Sequence, residues 1–162
     1  MVAEQATERM VMRASPARCF ATVTDFERYA EWATDIKSVE VEERDDQERV
    51  RRVTFRAAAF GRSTTYTLSY DYSEAPEELS WVQVAGDLTA RLDGRYVFEP
   101  AGDGDTEVVY HLDVELQVPI PGFVKRRAEG RIIHTALGDL KARVEEGLAL
   151  ATSPGPDRDP DD

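Results

Sequence analysis

The side chains in this sequence best suited to chemistry are its tyrosines. Tyr66, Tyr70 and Tyr72 fall at even positions of one alternating segment, and Trp81, Tyr96, Phe98 and Tyr110 continue the pattern on later segments. Residues two apart in a strand share a face, so this spacing turns an aromatic, hydroxyl-bearing surface to one side. A phenol among apolar groups needs a hydrogen-bond partner, and a ligand or a water could supply it. Phenols and guanidinium groups can donate to a polarised oxygen, and Tyr66, Tyr70 and Tyr96, with Arg56 or Arg91, are the groups of those types on these segments. Strict alternation works against the arginines. Val53, Phe55 and Ala57 turn Arg56 outward, and Arg91 lies opposite Leu92 unless a bulge intervenes.

The other reactive groups form no constellation. His111 points outward on its strand, and His134 is read as structural or exposed. Cys19 is the single cysteine, which leaves no internal disulfide and no thiolate cluster and fits a reducing, cytoplasmic setting. H-E-x-x-H, the nucleophile elbow and the phosphate loop do not occur. No catalytic residue, metal ligand or cofactor is therefore assigned.

The elements that must hold the tyrosines follow from periodicity. Glu8 to Arg13 reads as a strand. Ser15-Pro16 then opens a helix through Thr24, since Ser caps orphan amides and Pro suits the first helical position. Thr24 and Asp25 can cap a second short helix, Phe26 to Trp32, and Trp32 falls at a rim as a gate or a core plug. From Ile36 the chain reads as six strands parted at Asp45-Asp46, Gly61, Glu74 to Glu77, Gly86-Asp87 and Gly102 to Asp105. Alternation points Leu68 inward with the tyrosines, then Leu88, Ala90, Leu92, Tyr96 and Phe98, then Val108, Tyr110, Leu112, Val114 and Leu116. Pro119 and Pro121 end the ladder.

A long amphipathic helix from Gly122 to Leu150 closes the order. Phe123, Ile133, Leu137, Leu140, Val144 and Leu148 form its apolar stripe, while Lys125, Arg126, Glu129, Arg143 and Glu146 occupy other faces. Each large side chain of that stripe, once buried, stabilises by about 1.5 to 3 kcal/mol, so the helix must lie on the sheet. Gly130 and Gly138 mark either a bend or close contact or a tolerated surface position. The expected fold class is α+β, a curved antiparallel seven-stranded sheet wrapped around this helix, with residues 1–150 as one domain and 151–162 as a disordered acidic tail.

Composition narrows the partners. A chain of 162 residues with 41% hydrophobic and 32% charged content is a globular mixture. Its net charge of −12 repels polyanions, so nucleic-acid binding is not expected. The basic run Lys125 to Arg127 reads as a solvated helix face. No segment reaches the roughly 18 apolar residues of a membrane span, and the first residues lack the flank and apolar run of a signal peptide. The expectations are no integral membrane association and a monomer or weak homodimer.

Three stretches, Ser15 to Trp32, Gly86 to Pro100 and Val118 to Ile132, resemble the bacterial polyketide cyclase/dehydrase-like or coenzyme Q-binding branch of the START-like (SRPBCC, helix-grip) superfamily. The resemblance spans about residues 5–148. It implies a deep pocket between the sheet and the last helix. Members share the cavity and differ in its use, so function is not carried over by fold. The residues expected at the ligand are Trp32, Phe55, Tyr66, Leu68, Tyr70, Trp81, Leu92, Tyr96, Phe98, Tyr110, Ile133, Leu137 and Leu140. Noncatalytic carriage or sensing of a lipid, quinone or polyketide-like molecule ranks first. A cyclase, aromatase or dehydratase ranks second, and a protein-interaction module third.

Overall fold

In a computed structural model of the protein, residues 6–59 and 61–152 are described, without the side chains at 59 and 147–152. Strand β1 (Ala6–Met12) leads to helix α1 (Pro16–Val23), whose start is capped by the Ser15 hydroxyl accepting the Arg18 N–H at 3.1 Å. A 3-10 turn (Phe26–Arg28) runs into the single-turn helix α2 (Tyr29–Trp32). Side-chain capping by Thr24 and Asp25 does not occur. The Thr24 hydroxyl donates back to the Phe20 carbonyl at 2.8 Å, and Asp25 pairs with Arg28 at 3.2 Å. What fastens α2 is its first residue, the Tyr29 hydroxyl donating to the Val23 carbonyl.

Strands β2 (Ile36–Arg44), β3 (Val50–Ala59), β4 (Arg62–Asp71), β5 (Glu78–Gly86), β6 (Thr89–Pro100) and β7 (Thr106–Leu116) form an antiparallel meander. β1 joins it beside β7, giving a seven-stranded sheet in the order β1-β7-β6-β5-β4-β3-β2. The breaks fall where the turn residues put them. One inward assignment fails: Ala90 is exposed and Thr89 is buried, because the β6–β7 register shifts between Thr89 and Arg91. An extra residue at such a bulge exchanges the two faces of a strand.

Helix α3 (Gly122–Thr152) runs unbroken, and an added Cβ at Gly130 or Gly138 would meet nothing within 4 Å, so neither glycine marks a close contact. Ile133, Leu137, Leu140 and Val144 are fully buried. Phe123 is not: it is 61% exposed, as the first turn of α3 precedes the point where the helix meets the sheet. The Leu148 side chain and residues 153–162 lie outside what is described. Glu129, expected on the solvated face, is 2% exposed. Among the described residues β1 pairs with β7 as far as Leu112, and the Val114 N–H beyond it donates to the Glu129 carboxylate at 3.3 Å. A buried backbone donor requires such an acceptor.

These pairings give the sheet two unlike ends. At one, α1 and Phe26 are wedged under the sheet with Met12, Cys19, Val23, Leu79, Val108 and Val144, all of them almost inaccessible. At the other gather the α2–β2, β3–β4, β5–β6 and β7–α3 connections. Val118, Phe123 and Val124 are exposed there. No helix among the described residues is long and apolar enough to cross a membrane.

Candidate functional site

The second end is hollow because strands β5 and β6 part company. They pair from Glu78 opposite Val97 to Trp81 opposite Gly94 and no further. Side chains replace the ladder beyond that point. Asp93 accepts the Gln83 N–H at 2.9 Å, the Gln83 amide donates to the Thr89 carbonyl at 2.8 Å, and the Thr89 hydroxyl donates back to Gln83. Gly94 is required where the strands separate: a Cβ there would stand 2.7 Å from the Trp81 ring and 2.5 Å from the His111 carbonyl oxygen. The missing side chain lets the indole lie along β6, with ring centroids 5.6 Å from Tyr96 and 5.7 Å from Tyr70 and Tyr110.

The resulting cavity measures about 130 Å³. A dry apolar cavity of about 150 Å³ holds a benzene molecule, so the space matches one ring-sized group. Trp32, Phe55, Tyr66, Leu68, Tyr70, Trp81, Leu92, Tyr96 and Tyr110 line it. Phe98, Ile133, Leu137 and Leu140 do not; all four are buried in the core. The helix presents Ile132, Thr135, Ala136 and Asp139 to the cavity instead. α3 leans on β1 and β7, so its large apolar stripe is spent on that edge. The neighbouring stripe of smaller and polar residues spans the gap to the middle strands. That spacing of three and four was present in the sequence, masked by the stronger apolar stripe beside it. Tyr29, Asp35, Ile36, Ala57, Thr64 and Thr89 also line the space and escaped sequence reasoning, most of them lying in connections or at strand ends.

The tyrosines divide by partner. Tyr29 is committed to Val23, and Tyr72, outside the cavity, donates to the Val50 carbonyl at 2.6 Å. Among the described residues, the hydroxyls of Tyr66, Tyr70, Tyr96 and Tyr110 have no protein hydrogen-bond partner; Tyr70, Tyr96 and Tyr110 are no more than 7% exposed, while the fully buried side-chain atoms left unpaired are Arg95 Nε and Asp113 Oδ1. Burial holds all four well above the usual phenol pKa of 10, and the Asp35 charge pushes Tyr66 further in the same direction. They remain protonated at neutral pH and act as hydrogen-bond donors. Open to the cavity, these hydroxyls can donate to water or to a ligand oxygen or nitrogen.

No arginine, lysine or histidine lines the cavity among the described residues. Arg56 is exposed, and Arg91 points outward to Asp93 at 3.5 Å and Glu115 at 3.8 Å. The bulge near Thr89 therefore does not turn Arg91 inward. His111 meets the Thr7 hydroxyl at 3.0 Å on the outer face, and exposed His134 stands 3.6 Å from Glu8. The Cys19 thiol is buried at the closed end, where burial pushes its pKa up. No group of three metal-ligating side chains converges among the described residues. What remains chemically is a set of phenol donors in an aromatic chamber, with half-buried Asp35 and Asp139 in its wall.

The profile of a family described as polyketide cyclase/dehydrase and lipid transport matches residues 3–145. Among solved structures, a START superfamily protein from Mycobacterium smegmatis is 24% identical with a TM-score of 0.84, over 88% of this chain and 97% of its own. The Zhui aromatase/cyclase from Streptomyces sp. R1128 is 14% identical with a TM-score of 0.80, over 94% of this chain and 99% of its own. A STAR-related lipid transfer protein from Xanthomonas axonopodis is 15% identical with a TM-score of 0.66, over 87% and 85% of the two chains. No curated protein matches the sequence.

Proposed function

Since the chain belongs to the polyketide cyclase/dehydrase and lipid-transport family, we propose that it binds a small, mainly apolar molecule in the aromatic cavity and acts as a carrier or sensor rather than a catalyst. The observation that carries this reading is the pairing of an apolar aromatic wall with tyrosine hydroxyls that have no protein partner. Ligand pockets share this composition, mostly hydrophobic with a few polar groups that set orientation. The cavity's size favours a compact ligand, or the ring-sized end of a longer one. Native mass spectrometry of freshly purified protein, followed by solvent extraction, tests it: a copurified apolar compound is expected. A protein that emerges empty and then takes up no hydrophobic probe would overturn the reading.

The cyclase or aromatase reading draws on the same hydroxyls, and one relative named above is an aromatase/cyclase. Against it stands the cavity's lack of any cation among the described residues to stabilise an enolate. General acids work best when their pKa lies near the operating pH, and burial moves these phenols away from it. They suit holding a carbonyl better than transferring a proton.

A further inference from the structure

The charges around the cavity are all of one sign. Apart from the tyrosines, its ionisable wall consists of Asp35 and Asp139. Neither makes an ion pair among the described residues. One oxygen of Asp139 is held in place by the Thr34 N–H at 2.8 Å and the Thr34 hydroxyl at 2.9 Å, which ties the connection after α2 to α3 and fixes this half-buried carboxylate in the cavity wall. Asp35 follows on the same connection, and its charge is felt by Tyr66 inside; that of Asp139 is felt by Tyr96. The same wall includes the indoles of Trp32 and Trp81. Aromatic faces carry negative potential and attract organic cations, most strongly when water is excluded. Independently, Tyr70, Tyr96 and Tyr110, each no more than 7% exposed, line the chamber without a protein hydrogen-bond partner among the described residues and offer their hydroxyls to an occupant.

Resting on the binding reading above, we propose that the occupant is an organic ammonium compound, its ring-sized apolar part among the tyrosines and its positive nitrogen beside Asp35 and Asp139. Carboxylate ligands are disfavoured by the same two charges, and neutral ones gain the apolar contacts and the phenol hydrogen bonds without a charge pairing.

Three probes of one size separate these cases: benzylammonium, benzyl alcohol and benzoate, titrated against the intact protein and followed by tryptophan fluorescence and calorimetry. Benzylammonium is expected to bind at least about tenfold more tightly than benzyl alcohol, with benzoate the weakest. Asp35→Asn, which leaves the Thr34 tether intact, is expected to shrink that ratio, and Asp35→Asn with Asp139→Asn to abolish it. Equal binding of the ammonium and the alcohol would overturn the charge selection while leaving the apolar cavity standing. Tightest binding of benzoate would do the same. Failure of all three to bind would overturn both.

Discussion

The two ends of the sheet are built from the same kind of sequence and end in opposite states. At the closed end, the inward residues of β5, β6 and β7 meet α1 and Phe26, whose ring sits 4.5 Å from Tyr70, and almost nothing there touches solvent. At the open end, the inward residues of the same strands meet connections a few residues long and the small-residue stripe of α3. Alternation is equally good at both. The difference lies in what faces the strands: a helix with bulk to insert, or Ala136 and Thr135 with none. A cavity here is an apolar surface whose opposing surface is short of volume.

The comparison breaks most readily at the packed end. Leu137→Ala should cost about 2 to 5 kcal/mol, since it removes a fully buried side chain from a site with little room to collapse; urea denaturation measures it. Probe binding should survive in the fraction that stays folded, because Leu137 is not on the cavity wall.

Gly94→Ala acts at the boundary between the regions. The new methyl collides with the Trp81 ring and a backbone oxygen, so a loss of about 1 to 3 kcal/mol is expected, with a change in tryptophan emission that Leu137→Ala does not produce.

Glu129 sharpens the contrast through pH. Burial raises its carboxyl above the ordinary 4.5, with Lys125 and the Val114 amide partly opposing the shift. The folded state then holds more protons than the unfolded state between 4.5 and the raised value, so this group's contribution to stability falls as pH rises through that window. Denaturation midpoints across pH 4 to 7 should show that decline in the native protein and a flatter profile in Glu129→Gln.

The smallest effects on stability belong to the open end. Ala136→Leu points into empty space and should change stability by less than about 1 kcal/mol, yet weaken a ring-sized probe by more than about tenfold in calorimetry. Tyr70→Phe removes a donor without a partner and should leave the denaturation midpoint unchanged or slightly raised.

Periodicity in the sequence determined the element order, the turn positions, the seven-stranded sheet, the inward aromatics of β4 to β7 and the presence of a long covering helix. These depend on which neighbours share a face, and the chain's own spacing encodes that. Tertiary structure alone decided the rest. It set the lean of α3 toward β1 and β7, which moved Ile133, Leu137 and Leu140 off the cavity and brought in Ile132 and Asp139. It also decided the parting of β5 from β6 at Gly94, the burial of Glu129 against the Val114 amide, and the placing of Asp35 and Asp139 in one cavity wall from distant segments. A side chain's face is a local property. What stands opposite it, and how much space lies between, depends on how whole elements dock, and no single element's pattern contains that distance.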